Sequence, residues 1–486
     1  MTESTEAPPP PVWDALAHIV GPENAVRGGD GTPHRPNTGM FRPRRVRGIL
    51  RPQTVEQVRQ VVATVDRAGA GPLHPLSTGR NWGLGSHEAV EDDALVLDLG
   101  RLARVREKDL RGGWAVVEPG VTQGALSQEL DRTDRMVNVT VAAAGTSVVG
   151  NALDRGVGLR RQRVDDLLGL EVVLPDGELV HVGWWPGQDR STAAYPHGLG
   201  PSLLPLFVQS NLGVVTAAAV RLLPRPEALR VVRMTFAPEV LAGAVEAVRR
   251  WVRQGLVSGV PRLLDPFTGR PYGGPEGEFL LHLCIDGTPA AVAALVDVLT
   301  AEAHATGLFS AVSHTESTDP ADPGHETAVL VERGYAGDPD VRDTLFEAKV
   351  GHPAAAVDER VGMVSFLPML PFTGESVVRA YALLDEVSTR TGLRAAATLH
   401  VLDPDLAECV SGVRFERNEA GAAAAHRALD LLYERFTAAG FVPYRLDIAH
   451  ADWNDRLRVD PAATRLARRL KATLDPSGTI APGRYR

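Results

Sequence analysis

Residues Pro75 to Ser86 read PLSTGRNWGLGS, in which a polar core, STGRN at 77–81, stands between an apolar run and two glycines, Gly83 and Gly85. Glycines let a backbone turn tightly and direct several N–H groups at one anion. The hydroxyls of the core and the guanidinium of Arg80 add donors that suit phosphate oxygens. The stretch therefore predicts a loop that binds a diphosphate, although an ordinary connecting loop has a similar composition. It is neither a Walker loop nor a Rossmann fingerprint, since no Gly-Lys-Ser/Thr follows and no helix opens at its glycines.

The composition indicates a multidomain globular protein. At 486 residues the chain is long for one core, so two or more domains are expected. Hydrophobic residues make up 44 %, and glycine and proline are plentiful, which is typical of a loop-rich α/β or α+β protein. The net charge of −9 argues against nucleic acid as the main partner.

The residues that report on location favour a cytoplasmic protein. The two cysteines, Cys284 and Cys409, are too few for a disulfide framework. The first residues, MTESTEAPPPPVWDAL, show no secretory signal, and no apolar run approaches the roughly 20 residues of a membrane span. The histidines are scattered, so no metal site is expected.

Outward from the glycine loop, periodicity predicts two kinds of structure. Residues 1 to about 12 are expected to be disordered, 13–19 to form a short helix, and 26–45 to be irregular. Thr54 caps a predicted helix, and Pro175-Asp176-Gly177 turns a predicted hairpin over 170–182. After Pro226 the pattern predicts an antiparallel sheet with helices on one side. The predicted helices are 238–253, 289–306, 376–391 and 420–438, and the predicted strands are 279–285, 363–369, 395–402 and 410–416.

Several motifs in a fixed order carry a resemblance to a known family. They are PLSTGRNWGLG, ALVLDLG, VVEPGVTQGAL, SVVGNALDRGVG, LEVVLPDGELV, PLFVQSNLGVVT and LDPSGTIAPGR. Together they resemble the vanillyl-alcohol oxidase/p-cresol methylhydroxylase family of FAD-dependent oxidoreductases, over most of residues 45–225 and again over 441–484.

The resemblance implies an α+β fold, with a two-subdomain FAD-binding domain of the p-cresol methylhydroxylase type and a cap that holds the substrate. The FAD-binding domain would span residues 1–226, the cap 227–440, and residues 441–486 would return to the FAD-binding domain. The cap would carry an antiparallel sheet flanked by helices.

The resemblance also implies the residues that hold FAD. Loop 77–83 would hold the diphosphate, and three further segments would line the adenine, ribose and flavin. The set is Ser77, Thr78, Gly79, Arg80, Asn81, Trp82, Gly83, Pro119, Gly120, Val121, Ser147, Gly150, Asn151, Asp154, Val214, Val215 and Arg445.

At the reacting end, agreement with the family is mixed. Tyr444-Arg445 match a Tyr-Arg pair at the flavin pyrimidine edge, where a guanidinium stabilises the anionic reduced ring. Leu84 replaces a phenolate-binding tyrosine, and Ala142 replaces an aspartate near flavin N5. Glu408 and Ala355 fall where relatives carry the histidine or tyrosine that bonds to FAD. We therefore predict non-covalent FAD, with Cys409 as a buried strand residue rather than a thioether to the flavin.

The missing aspartate leaves the catalytic base open among His400, Glu408 and Asp447. The leading hypothesis is hydride transfer to flavin N5 from an alcohol, amine or benzylic carbon of a specialised small molecule other than a simple 4-alkylphenol. The acceptor is O₂ or another carrier. The alternatives are a redox-neutral cyclase or isomerase on the same scaffold and a binding protein that has lost its flavin. The oligomeric state stays open, with a homodimer among the possibilities.

Overall fold

The computed structural model describes residues 10–28, 36–85, 87–140, 142–188, 191–321, 323–457 and 460–485. The disorder predicted for residues 1–9 lies outside these ranges. For residues 10–12 the prediction was wrong, because helix α1 (Pro10–Val20) begins at Pro10. Prolines are compatible with a first helical turn, where their missing N–H groups have no intrahelical acceptor.

The chain first builds a four-stranded sheet. It contains β1 (Ala25–Arg27), β2 (Val46–Leu50), β3 (Leu73–Leu76) and β4 (Ala94–Asp98), in the order β1-β2-β4-β3. Strands β2, β3 and β4 pair in parallel and β1 is antiparallel. Helix α2 (Val55–Arg67) begins after Thr54, whose side chain accepts a hydrogen bond from the Gln57 N–H. Four valines of α2, together with Leu16 of α1, are buried in the core of this layer. The glycine loop leaves the sheet at the carboxyl end of β3.

A second, antiparallel sheet follows. Its layer contains β5 (Val105–Asp109), β6 (Trp114–Val117), α3 (Gln123–Glu129), β7 (Arg135–Met136), α4 (Val148–Leu153), β8 (Leu167–Val173), β9 (Leu179–Gly183), β10 (Val214–Arg221) and β11 (Leu223–Pro224). Five strands run in the order β5-β6-β10-β8-β9, and β7 pairs with β11. Helices α3 and α4 pack on the sheet, so that the amino end of α4 lies beside the glycine loop.

The third sheet, here called the cap sheet, is antiparallel and has eight strands. Its layer contains β12 (Ala228–Phe236), α5 (Leu241–Arg253), β13 (Ser258–Leu264), β14 (Phe279–Gly287), α6 (Pro289–Thr306), β15 (Ala311–Ser313), α7 (Pro323–Tyr335), α8 (Asp340–Val350), α9 (Val357–Arg360), β16 (Gly362–Phe366), β17 (Met369–Pro371), α10 (Gly374–Thr391), β18 (Ala395–Asp403), β19 (Leu406–Phe415) and α11 (Glu419–Ala438). The order is β15-β12-β14-β13-β18-β19-β16, with β17 also paired to β19.

Helices cover the cap sheet unequally on its two faces. The main core lies between one face and α5, α6, α10 and α11. A smaller core on the other face includes Val331 and Tyr335 of α7 and Leu345 of α8. The prediction of helices on one side was therefore wrong in part. The rest of the second face, over β18 and β19, is left for the cavity described below.

The last stretch of the chain, with α12 (Trp453–Leu457) and α13 (Pro461–Leu474), contacts both parts of the molecule. The Tyr444 N–H donates to the Leu367 carbonyl beside the cap sheet, at 3.2 Å. Farther on, the Ala481 N–H donates to the carbonyl of Leu73 on β3, at 2.8 Å. Among the described residues, no helix is long and apolar enough to cross a membrane.

Candidate active site

One large cavity, of about 850 Å³, is lined both by the glycine loop and by the free face of the cap sheet. Residues 75–82 form part of its wall on one side, and residues from β18 and β19 form part of it on the other. Arg445 lines the same cavity. The predicted diphosphate loop and the predicted flavin-edge arginine therefore face one shared space.

The loop has the chemistry that a diphosphate needs. Gly79 has a φ of 67° and Gly83 a φ of 81°, so the backbone bends through left-handed conformations here. The N–H groups of residues 78–82 have no acceptor among the described residues. Consecutive N–H groups without a protein partner form an anion-binding concavity. A Cβ on Gly150 of α4 would lie 2.5 Å from Ser77 Oγ, so the helix packs tightly against the loop. These residues fit the diphosphate of FAD.

Most of the residues predicted to hold FAD line the cavity, and three do not. Gly83 donates its N–H to Thr38 Oγ1 at 2.7 Å, and Gly120 donates to the Leu102 carbonyl at 2.7 Å. Val121 is buried in the core of the five-stranded sheet. These three positions shape the backbone behind the wall rather than the wall itself.

Arg445 is held rigidly at the cavity wall. Its Nε and one terminal nitrogen donate to the Asp154 carbonyl, at 3.0 and 2.5 Å, and its guanidinium lies over the Tyr444 ring. The Asp154 carboxylate accepts from the Tyr485 hydroxyl at 2.5 Å. Burial opposes the charge of Arg445, but Tyr444 and Asp154 outweigh it and raise the pKa of the guanidinium. The cavity thus has a permanent positive charge at this point.

Three predicted catalytic residues form a hydrogen-bonded chain. The Tyr444 hydroxyl donates to one Glu408 oxygen, and the other oxygen lies 2.8 Å from His400 Nδ1. Since a carboxylate accepts, His400 carries its proton on Nδ1 in this arrangement. His400 Nε2 has no partner among the described residues, and the side chain lines the cavity. Burial lowers the pKa of His400 despite Glu408, so the ring is neutral and Nε2 can accept a proton.

The remaining candidate residues divide into those that line the cavity and those that lie outside it. Leu84 and Ala142, predicted to replace a tyrosine and an aspartate of the family, both line the cavity. Ala355 is exposed and lies outside the wall. Cys409 faces the main core on the opposite side of the cap sheet, away from the cavity. Asp447 also lies outside the wall, because its carboxylate is buried against His450 at 2.9 Å.

Several residues of the wall were not predicted. Arg484 and Tyr485 line it beside Asp154, and Gln209 donates to the Tyr444 carbonyl at 2.9 Å. Arg484 ends the motif LDPSGTIAPGR and Tyr485 follows it directly, but that motif indicated the family and gave no role to either side chain. Arg394 and Arg414 line the cap side. The alternation of residues along the predicted strand 410–416 was the available signal for Arg414, whereas Arg394 lies just before the predicted strand 395–402. The described residues contain no group of three or more His, Cys, Asp or Glu that could hold a metal ion.

Comparisons with known proteins agree with this geometry. The model of a family described as an FAD binding domain matches residues 46–183. A 1'-carboxy-chondrochloren decarboxylase from Chondromyces crocatus is 28 % identical, over 91 % of this chain and 90 % of that protein. The 4-cresol dehydrogenase [hydroxylating] flavoprotein subunit of Pseudomonas putida is 25 % identical, over 89 % and 86 % of the two chains. The prediction of FAD as cofactor is thereby confirmed.

The fold comparison is equally extensive. A crystal structure of p-cresol methylhydroxylase with substrate bound superposes with a TM-score of 0.87 at 22 % identity, over 98 % of this chain and 96 % of the other. A 4-ethylphenol oxidase from Gulosibacter chungangensis superposes with a TM-score of 0.84 at 20 % identity. The predicted fold class, with an FAD-binding part and a cap built on an antiparallel sheet, is confirmed.

Proposed function

We propose that this chain, a member of the vanillyl-alcohol oxidase/p-cresol methylhydroxylase family and an FAD-dependent oxidase or dehydrogenase, removes a hydride from an alcohol, amine or benzylic carbon of a specialised small molecule. When bound, FAD supplies the hydride acceptor at N5, and the protein supplies position and charge. The observation that carries the proposal is the shared cavity. Its wall holds the diphosphate donors, the fixed charge of Arg445 and the neutral His400 ring.

The chain's own residues have complementary roles in this reaction. Ser77 to Trp82 bind the diphosphate through backbone and side-chain donors. Arg445 stabilises negative charge at the pyrimidine edge of the ring, and Asp154 holds it there. His400 accepts the substrate's proton at Nε2, while Glu408 keeps the ring in the tautomer that leaves Nε2 free. Tyr444 anchors Glu408 from the other side.

The wall argues against a simple 4-alkylphenol as substrate. A phenolate needs several donors to hold its oxygen, and Leu84 offers none. The methyl group of Ala142 cannot exchange a proton with substrate, so proton transfer falls to His400. We therefore assign the reaction to a specialised compound other than a simple 4-alkylphenol, with O₂ or another carrier as the acceptor.

A second candidate is a reaction on the same scaffold with a different outcome. The relative from Chondromyces crocatus is named a decarboxylase, and the missing aspartate also fits a redox-neutral cyclisation or isomerisation. These outcomes differ in the fate of the electrons and of any carboxyl carbon, which makes them separable in one experiment.

The test is anaerobic mixing of the purified holoenzyme with benzylic alcohols, amines and their carboxylated derivatives. Net flavin bleaching with one equivalent of oxidised product supports the proposal. Product without bleaching supports a redox-neutral reaction, and release of CO₂ identifies the decarboxylating one. Readmission of O₂ then separates an oxidase, whose flavin reoxidises at once, from a dehydrogenase. If no compound in the panel bleaches the flavin or gives product, the assignment of this substrate class is wrong.

A further inference from the structure

Strands β18 and β19 form one continuous wall of the cavity. They pair with Ala396 opposite Gly412 and His400 opposite Glu408. Because side chains alternate along a strand, every second residue faces the same side. Most of the strand residues that line the cavity follow this rule, namely Arg394, Ala396 and His400 on one chain segment and Glu408, Val410, Gly412 and Arg414 on the other; Ser411 also lines it, outside this alternation.

The register places two arginines opposite each other at the far end of this wall. Ala395 pairs with Val413, so Arg394, which precedes β18, lies across from Arg414. About 20 Å of strand separates Arg394 from His400, at about 3.3 Å for each residue. The His400–Glu408 pair and the two arginines therefore lie toward opposite ends of the same strand pair.

Neither arginine has a carboxylate partner among the described residues. Arg414 donates to the Lys349 carbonyl, and burial lowers the pKa of its guanidinium. Arg394 is exposed, and its guanidinium lies 5.5 Å from the centre of the Phe267 ring. Of the described residues that the cap contributes to the wall, Glu408 is the one carboxylate, and it already accepts from Tyr444 and His400. Two further cations, Arg270 and Lys349, line the same side.

The space between the two ends is wide and apolar. Ala396 and Gly412 are small, and a Cβ on Gly412 would have Val364 O, at 3.7 Å, as its nearest neighbour. Phe346, Met363 and Leu367 add apolar surface to the wall. An extended apolar body fits this stretch, with its far end at the two arginines.

We propose that Arg394 and Arg414 form a subsite for an oxyanion, a carboxylate or a phosphate ester, at the far end of an elongated apolar substrate. The inference rests on the proposed function in that the other end of the substrate reaches His400. Guanidinium forks suit both kinds of oxyanion, since each offers two parallel donors. Partial exposure lets the anion enter from solvent without a large desolvation cost.

The test measures binding rather than turnover. The holoenzyme is titrated with ω-phenylalkanoates of increasing chain length, with the matching primary amides, and with the matching ω-phenylalkyl monophosphates. Binding is read from the visible spectrum of the oxidised flavin and from tryptophan fluorescence, since Trp82 lines the cavity. The variants are Arg394→Gln and Arg414→Gln. The matched control is Arg427→Gln, an exposed arginine on α11 behind the opposite face of the cap sheet.

We expect a long-chain anion to bind about tenfold or more tightly than its amide, and each of the two variants to lose about tenfold of that preference. Arg427→Gln should keep it. Whichever series binds more tightly, the carboxylates or the phosphates, identifies the oxyanion. Equal affinity for anions and amides in the wild type, or an unchanged preference in Arg394→Gln, would overturn the subsite. Because Arg394 is exposed, its variant decides the matter even if Arg414→Gln folds poorly. A negative result in this binding experiment would not affect the flavin-bleaching experiment, so the subsite and the proposed reaction can be rejected independently of each other.

Discussion

Glu408 is the residue on which the orientation of His400 depends. Its carboxylate accepts from Tyr444 on one side and from His400 Nδ1 on the other. A glutamine offers an N–H in place of one oxygen, which would favour the His400 tautomer with its proton on Nε2 and remove the base. We predict that Glu408→Gln slows anaerobic flavin reduction by about 10²-fold, within the usual range for general base catalysis.

The measurement is stopped-flow absorbance with any substrate that bleaches the wild-type flavin. Glu416→Gln, at an exposed position just beyond β19, is the matched control and should react at the wild-type rate. An unchanged rate in Glu408→Gln, with FAD still bound, would exclude the tautomer role.

His450 gives a residue-level prediction about stability. Burial opposes its charge, but Asp447 and Asp430 outweigh it and raise the pKa of His450. A raised pKa in the folded state means that the protonated ring stabilises the fold. This stabilisation is complete below the unfolded pKa of about 6.5 and is lost as pH rises through the folded value. His450→Gln should therefore reduce the fall in urea midpoint between pH 6 and pH 9.

The matched control is His304→Gln, at an exposed position near the end of α6, which should keep the wild-type pH dependence. Parallel curves for the wild type and His450→Gln would show that the Asp447–His450–Asp430 cluster does not carry this effect. The urea slope must stay constant for the midpoints to be compared.

Among the elements, α4 supports the glycine loop at its closest approach. The Ser147 side chain caps α4 by accepting from the Gly150 N–H at 2.9 Å, and Gly150 packs against Ser77. A methyl group at position 150 would displace the Ser77 hydroxyl from the diphosphate site. We predict that Gly150→Ala folds but loses FAD on gel filtration, as measured by the ratio of visible to ultraviolet absorbance. Gly243→Ala on α5, remote from the cavity, is the control, and full flavin retention in Gly150→Ala would contradict the tight fit.

The elements also show where sequence reasoning succeeded and where it stopped. The hairpin of β8 and β9 and helices α5, α6, α10 and α11 agree with the prediction, because their apolar spacing is regular. Strand β12 was missed, since Arg230 and Arg233 interrupt its pattern. Both arginines donate to tertiary partners, the first to Glu332 and the second to the carbonyl of Tyr272 at 2.9 Å. Helices α7 and α8 were missed because tertiary contacts with the second face of the cap sheet, rather than a clear stripe, hold them.

The candidate site could be predicted in its parts but not in its assembly. The order of the motifs was enough to indicate FAD, and the Tyr444-Arg445 pair could be located directly. The contact between Glu408 and His400 needs the register of β18 and β19, which a single strand pattern does not supply. Arg394 and Arg414 are 20 positions apart in the sequence, and only that register brings them together.

At the level of the whole molecule, non-covalent FAD remains a prediction, which follows from the surroundings of the candidate attachment residues. Glu408 is engaged in hydrogen bonds, Ala355 lies outside the cavity, and the Cys409 thiol faces the core. Burial raises the pKa of Cys409, which makes its thiolate scarce. We predict a yellow protein whose flavin remains in the supernatant after acid precipitation. A yellow pellet would reveal a covalent link.

The central claim is that the loop at 77–82 holds the diphosphate of an FAD whose flavin ring lies beside Arg445, which is itself 3.5 Å from Asn81 of the loop. Its most direct test needs no substrate: the two-electron midpoint potential of the bound flavin in the wild type and in Arg445→Ala. Loss of a fixed positive charge beside the anionic reduced ring should lower the potential by about 60 mV, which corresponds to about 10² in the equilibrium constant. An unchanged potential in a folded, flavin-loaded variant would place the ring elsewhere and contradict the account.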